Sequence, residues 1–250
     1  MDNTKKFSGL ADTYSKGRPT YASDFIESLY CQYGLSKQSI IADIGSGTGK
    51  FSKQLLDKGS FVYGVEPNDD MRNTASKELS DYKNFYLVNG TASKTKLDDK
   101  SVDYITVAQA FHWFDTELFK RECKRILKDD GKIFLIWNMR DMTSKINQQC
   151  FEIYLKYCPN FKGFGGGIQK DDIRIKQFFD NQYEYKEFDN SLVYDKDTFM
   201  SRSVSGSYSL KEGDKNYKTY VEEISKLFDR YAKDGVITMA NKTVVYIGRI

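Results

Sequence analysis

The sequence predicts an α/β fold: a doubly wound, mostly parallel sheet with helices on both faces. Three observations predict it. Short apolar runs alternate with segments of helical spacing from residue 21 to residue 137. The run Ile40–Ile44 stops at a glycine turn that opens straight into a helix. The runs end at Gly45, Glu66, Gly90 and Gln109, so a parallel arrangement brings four ligand-type positions to one carboxyl edge.

Each element has its own signal. In residues 21–34, Phe25, Leu29 and Tyr33 share a helical face, Ser23 or Asp24 caps the start and Gly34 stops it. The first strand, 40–44, feeds a helix over 49–58 whose Phe51, Leu55 and Leu56 fall at helical spacing. Gly59 ends that helix, strand 61–65 follows, and Pro67 fixes the turn after it. A helix over Asp70–Leu79 leads to strands at 84–90 and 101–108. Asp115–Ile126 is helical, Asp129-Asp130-Gly131 is a turn, and Lys132–Trp137 is the fifth strand.

Beyond residue 140 the alternation lapses. Helices are expected at Lys145–Tyr157, Asp171–Phe179, Asp195–Ser201 and Lys215–Lys233, with a glycine-rich loop at 163–167. Tyr183–Tyr194 alternates like a strand, and Val236–Ala240 with Thr243–Ile247 reads as a terminal hairpin around Asn241-Lys242. The expectation is one domain over 1–250. It has a ligand-binding core at about 36–138, a helical insertion at about 140–180 over the carboxyl edge, and a sheet-completing part at about 183–250.

Composition narrows the class. With 250 residues, 40% hydrophobic and 29% charged, the chain is an ordinary globular protein with a substantial core. A net charge of +3, with acids interleaved among the lysines, is too mild for a nucleic-acid surface. Cys31, Cys123, Cys150 and Cys158 form no CxxC pair, and one histidine leaves no zinc-type cluster, so no metal is expected. No apolar leader or membrane-length run is visible, and the scattered thiols suit a reducing compartment, so the expected home is cytoplasmic.

The glycine turn carries the chemistry. Its pattern, Asp43-x-Gly45-x-Gly47-x-Gly49, differs from the G-x-G-x-x-G of dinucleotide cradles. A carboxylate two residues before the first glycine repels a pyrophosphate and suits a cationic ligand. S-adenosylmethionine (SAM) has a sulfonium, an ammonium and an adenosine but no phosphate. Glu66 closes the second strand 23 residues after Asp43, the spacing of a ribose-binding acid, and its two oxygens can accept from both ribose hydroxyls.

On these residues the chain resembles class I SAM-dependent methyltransferases. Within that class it is similar to the methyltransferase type 11 branch and to trans-aconitate methyltransferase-like small-molecule enzymes. The resemblance rests on Tyr14-x-x-x-Arg18-Pro19-x-Tyr21, Asp43-Ile44-Gly45-Ser46-Gly47-Thr48-Gly49, Gly64-Val65-Glu66-Pro67 and Ala108-Gln109-Ala110-Phe111-His112-Trp113-Phe114. It implies a Rossmann-like, seven-stranded sheet, SAM as cofactor with S-adenosylhomocysteine as product, and a small-molecule methyl acceptor. It also implies roles. Asp43, Gly45, Ser46, Gly47 and Thr48 would surround the methionine part. Glu66 would bind the ribose, with Pro67 and Asn68 flanking the adenine. Gly90, Thr91 and Ala92 would lie on the adenine side, where Ser93 replaces a common acid. Gln109 and Ala110 would sit beside the methionine moiety. Tyr14 and Arg18 would fold over the cofactor, Arg18 facing its carboxylate, and Phe111 or Tyr14 could face the sulfonium.

His112 has two readings. It is a candidate catalytic base beside the reaction zone, or a ring packed among Phe111, Trp113 and Phe114. Ser203, Ser205, Ser207 and Tyr208 are candidates to line an acceptor pocket. The competing classes are an NAD-type oxidoreductase, which the glycine spacing disfavours, a nucleic-acid methyltransferase, which lacks its motif here, and a non-catalytic SAM-fold binding protein.

Overall fold

The computed structural model describes residues 19–164, 168, 170–206 and 208–250, so Tyr14, Arg18 and Ser207 lie outside the described residues. The elements of the first half are α1 (Ser23–Cys31), β1 (Ile40–Ile44), α2 (Lys50–Asp57), β2 (Phe61–Val65), α3 (Asp69–Glu78), β3 (Phe85–Val88), β4 (Val102–Ala108), α4 (Thr116–Ile126) and β5 (Leu127–Arg140). There follow α5 (Lys145–Tyr157), α6 (Ile173–Phe178), β6 (Tyr183–Asp189), β7 (Leu192–Asp195), α7 (Lys196–Val204), α8 (Tyr217–Tyr231), β8 (Val236–Met239) and β9 (Asn241–Gly248).

Seven strands form one sheet in the order β3-β2-β1-β4-β5-β9-β6. The first five are parallel, and β9 runs antiparallel between β5 and β6. The central β1 is covered on both faces, which explains why its sequence is a continuous apolar run without alternation. The chain moves outward from β1 to β2 and β3, then crosses back to β4 on the other side. The switch point therefore lies between β1 and β4, where a crevice opens at the carboxyl ends.

Two layers of helices close the sheet. Phe25 and Leu29 of α1 and Phe51 and Leu55 of α2 pack with Ile41, Val62, Phe134 and Ile136. On the opposite face Phe119 and Cys123 of α4 and Phe178 of α6 pack with Ile105, Val107, Ile133 and Leu135. Each fully buried side chain of this size contributes about 1.5–3 kcal/mol.

A third cluster forms a cap. Cys150 and Tyr154 of α5, Phe199 of α7 and Tyr220, Ile224 and Phe228 of α8 pack together with Ile237 and Met239 of β8. The chain reaches this cap in two excursions, one after β5 and one between β6 and β9. Because β6 runs parallel to β5, both excursions leave from the carboxyl edge. The cap thus stands over the edge that holds the crevice.

Three expectations change in the second half. The terminal hairpin does not form: β8 pairs with β7 in a separate two-stranded sheet, while β9 enters the main sheet. Both faces of β9 are buried, Val244 and Tyr246 on one side of the sheet and Val245 and Ile247 on the other, and only the long-range pairing with β5 decides this. The stretch 140–180 is divided, α5 joining the cap and α6 packing under the sheet, and the cap takes its other half from 192–239. The 129–131 turn survives only as a bulge inside β5, where the register jumps from Val102↔Leu127 to Tyr104↔Lys132.

Candidate active site

The crevice at the β1/β4 switch point encloses about 950 Å³ of open space, its mouth included. Gly45 and Gly47 form one wall, Glu66, Pro67 and Met71 a second, and Thr91, Ala92 and Ser93 a third. Ala108, Gln109, Ala110, Trp113, Phe114 and Asp115 complete it. The glycine turn, the end of β2, the loop after β3 and the end of β4 therefore meet, as the strand ends foretold.

The turn needs glycine for two different reasons. A β-carbon on Gly45 would stand 2.6 Å from the Ala110 methyl, so only hydrogen lets the β1 and β4 ends close together. At Gly47, with φ +57°, a β-carbon would meet nothing within 4 Å; it would instead take up open space and strain the left-handed backbone.

Glu66 is locked before any ligand arrives. Its Oε2 accepts from the Gly47 amide at 3.0 Å and its Oε1 from the Asn68 amide at 2.9 Å. Arg72 Nη1 donates to the Glu66 carbonyl at 2.9 Å, fixing the backbone beneath. Burial raises the carboxyl pKa, while the Asn68 and Gly47 amides and the nearby Arg72 hold it down. Each oxygen keeps lone-pair capacity toward the crevice.

Asp43 sits below the turn instead of lining the crevice, and this corrects the expectation of direct contact with the methionine part. It is fully buried, with Oδ2 accepting from Ser52 Oγ at 2.6 Å and Oδ1 from Thr106 Oγ1 at 3.0 Å. Thr106 is its neighbour in the β1–β4 register. Burial pushes this carboxyl up to about 6, against the lowering effect of the Ser52 and Thr106 hydroxyls, and Glu66 adds to the rise. Asp43 beneath the turn and Glu66 in the wall put two acids beside the crevice, an arrangement that suits a cation.

Other expected contacts also move. Ser46 and Thr48 are part of the turn but do not line the crevice. Asn68 caps α3, its side chain accepting from the Met71 amide at 3.0 Å, and so sets Met71 in the wall. Gly90 faces away from the crevice, since a β-carbon there would be 2.5 Å from the Thr95 carbonyl oxygen. Phe111 points into the core, edge-on to Trp137 and Phe178, whereas Trp113 and Phe114 form the wall. His112 is outside the lining, its ring 4.7 Å from that of Trp113.

Sequence reasoning missed Met71, Asp115 and the support of the 91–95 loop. The Glu122 carboxylate accepts from both the Thr95 amide and hydroxyl, at 2.7 and 2.6 Å, and pairs with Arg125 at 2.7 Å. Burial alone would raise its pKa, but Arg125 and Thr95 outweigh this and hold it at about 2. The loop carrying Thr91–Ser93 is thus pinned to α4 by an acid 27 residues away, which no local pattern signals. Gln109 carries another tell: it has φ +61°, rare for a side-chain-bearing residue, at the crevice rim. Its Nε2 donates to the Asn138 carbonyl at 3.2 Å.

Of the acceptor-pocket candidates, Ser203 and Ser205 donate to carbonyls of their own helix, at Phe199 and Arg202, and Tyr208 packs on Tyr154 and Phe161. Thr20, at the start of the described chain, is bolted to the same rim: its carbonyl accepts from Asn138 and Asn190 side chains at 3.0 and 2.9 Å.

Fold and crevice define a doubly wound α/β protein with an open crevice at its switch point, Glu66 in the wall and Asp43 beneath the turn. Residues 42–135 match the family model described as a methyltransferase domain. The chain is 27% identical to an uncharacterized methyltransferase-like protein of Schizosaccharomyces pombe, over 97% of this chain and 94% of that protein. It is 34% identical to an uncharacterized methyltransferase of Mycobacterium tuberculosis over 56% of this chain and 55% of that protein, so that match spans about half of the relative's length. A solved SAM-dependent methyltransferase from Aquifex aeolicus shares the fold, with a TM-score of 0.53, 14% identity and coverage of 94% of this chain and 96% of that one. Residues 42–135 of the chain are thus similar to a methyltransferase domain, a class that takes its methyl group from SAM.

The crevice fits that cofactor: Glu66 offers a fixed acceptor pair, Gly47 leaves open space, and the floor is acidic. Among the described residues no group of three or more His, Cys, Asp and Glu could hold a metal ion, and no helix is long and apolar enough to cross a membrane.

Proposed function

We propose that the protein methylates a small-molecule acceptor that enters between the crevice and the cap. The observation that carries this reading is the pinned Glu66 carboxylate facing a glycine-walled crevice under a separate aromatic cap. Glu66 would hold the ribose hydroxyls, with Pro67, Met71, Ala92 and Ser93 around the adenine. Gly45, Gly47, Gln109 and Ala110 would flank the methionine part, and Trp113 and Phe114 would wall the sulfonium side. SAM supplies an electrophilic methyl group with a neutral leaving group. The protein's work is then to align the acceptor, exclude water and hold the donor rigidly. An oxygen acceptor, carboxylate or hydroxyl, is compatible with this chemistry; a carboxylate needs no base.

Titration with SAM and with NAD, followed by thermal shift, tests the cofactor. Stabilisation by SAM alone is expected, and a response to NAD alone ends this reading. Turnover against a panel of small acids, phenols and amines then tests the acceptor; no methylation of any member, with SAM bound, would favour a non-catalytic binding protein. In this reading His112 supports Trp113 and does not move a proton. His112→Gln is therefore expected to lower kcat less than tenfold, within the loss of a positioning contact, about 1 kcal/mol. Its pH–rate profile should keep the wild-type shape. Loss of the alkaline or acidic limb would restore the base assignment.

A further inference from the structure

Strand β4 stops before its neighbour β5 does. Their parallel ladder runs from Tyr104↔Lys132 to Ala108↔Ile136, and the Gln109 amide still donates to the Ile136 carbonyl at 2.8 Å. The next rung would come from the amide two residues on, at Phe111, and would fall on the Asn138 carbonyl. Instead Gln109 adopts φ +61° and the chain turns off into the short helical turn Phe111–Trp113. The Gln109 side chain fills the gap, its Nε2 donating to the Asn138 carbonyl at 3.2 Å. Glycine would take this left-handed turn without strain, but it has no amide to give. A side-chain rung thus replaces a main-chain one where Gln109 and Ala110 enter the crevice wall.

Asn138 is itself firmly held. Its Nδ2 donates to the Thr20 carbonyl at 3.0 Å, and its Oδ1 accepts from Asn190 Nδ2 at 3.0 Å and Thr243 Oγ1 at 2.7 Å. Thr243 is fully buried, faces Asn138 in the β5–β9 register and accepts from the Ala22 amide at 2.9 Å. Between Thr20 and Ala22, the Tyr21 main chain exchanges two bonds with the Gln54 side chain, at 3.0 and 2.9 Å. Gln54 belongs to α2, the helix that leaves the glycine turn. A polar network satisfied at each of these atoms rigidifies what it holds. The entry Thr20–Ala22 therefore ties two crevice walls together, the glycine turn through α2 and the β4 end through Asn138 and Gln109.

The spacing of those walls is tight. Ala110 stands so close to Gly45 that a β-carbon there would come within 2.6 Å of its methyl, so any shift of the β4 end changes the crevice directly. We propose that Gln109 and Asn138 are positioning residues for the methionine part of SAM. The Gln109 side-chain rung, backed by the Asn138 network, holds the wall at 108–110 at the distance from Gly45 and Gly47 that the amino-acid chain of the cofactor needs. With its amide turned to Asn138, Gln109 acts through where it holds the backbone. The rung stands on the geometry; its assignment to the methionine part rests on the placement of SAM given above.

Calorimetric titration of the full chain with two ligands tests it. S-adenosylhomocysteine has the amino-acid chain; 5′-methylthioadenosine has the adenosine and the sulfur without it. Gln109→Met keeps the length of the side chain and removes the donor, and Asn138→Leu removes the network behind it. Each is expected to bind S-adenosylhomocysteine about tenfold more weakly and methylthioadenosine within about twofold of wild type. A general loosening of the fold would weaken both ligands alike. Equal losses for the two ligands, or no loss for either, overturn the positioning role. Gln109→Met leaves the Asn138 side chain and its partners intact, so it decides alone should Asn138→Leu fail to fold. A wild type that binds neither ligand overturns the crevice reading itself, whereas a wild type that binds both, with Gln109→Met unchanged, overturns this inference only.

Discussion

Replacing Glu66 by alanine is expected to weaken SAM binding by about 30- to 100-fold. The carboxylate has both oxygens held by main-chain amides, so it reaches the ribose without losing side-chain freedom. Two charge-assisted hydrogen bonds to a diol contribute roughly 3 kcal/mol together. Alanine also leaves the Gly47 and Asn68 amides without their acceptor, so the turn loosens as the ligand contact is lost. Calorimetric titration with SAM measures this, with S-adenosylhomocysteine as a second ligand. A loss of less than threefold would show that the ribose is not held here.

Asp43→Asn is expected to separate stability from binding. In the folded protein this carboxyl sits at about 6, above its ordinary value of 3.8. Folding therefore takes up a proton between about pH 4 and 6, and stability falls as pH rises through that window. Above it the buried charge costs about 3 kcal/mol. Asparagine has nearly the same shape and can still bond the Ser52 and Thr106 hydroxyls, so at pH 7 the apo variant should melt about 5–10 °C higher. SAM binding should move the other way. A cationic ligand above the turn stabilises the carboxylate, so wild-type affinity should rise from pH 5 to 7, while the variant binds about tenfold more weakly with a flatter profile. Calorimetry and thermal melts across that range decide it; an apo variant that melts below wild type at pH 7 would mean that local dipoles already offset the charge.

Much of this was legible in the chain itself because its signals are local. Ile40–Ile44 followed by Gly45, Gly47 and Gly49 is a strand, a turn and a helix for reasons contained in ten residues. Glu66 is placed by the length of one βα unit. The same holds for α5, whose bounds match the expected Lys145–Tyr157. The second half was less legible because its elements are specified by partners far away. β9 and β8 are adjacent in sequence and carry similar apolar patterns, yet one is buried in the main sheet and the other pairs with β7. Nothing within either strand distinguishes a hairpin from two separate pairings.

By itself, then, the sequence determined the doubly wound half-sheet, the glycine turn, the acid at the end of β2 and the edge at which they meet. Only the tertiary structure decided that Asp43 lies beneath the crevice, that Phe111 turns inward while Trp113 and Phe114 form the wall, and that Glu122 pins the 91–95 loop. The physical reason is the range of the forces. Backbone geometry and hydrophobic periodicity act over a few residues, whereas burial and charge are properties of whatever the fold packs alongside.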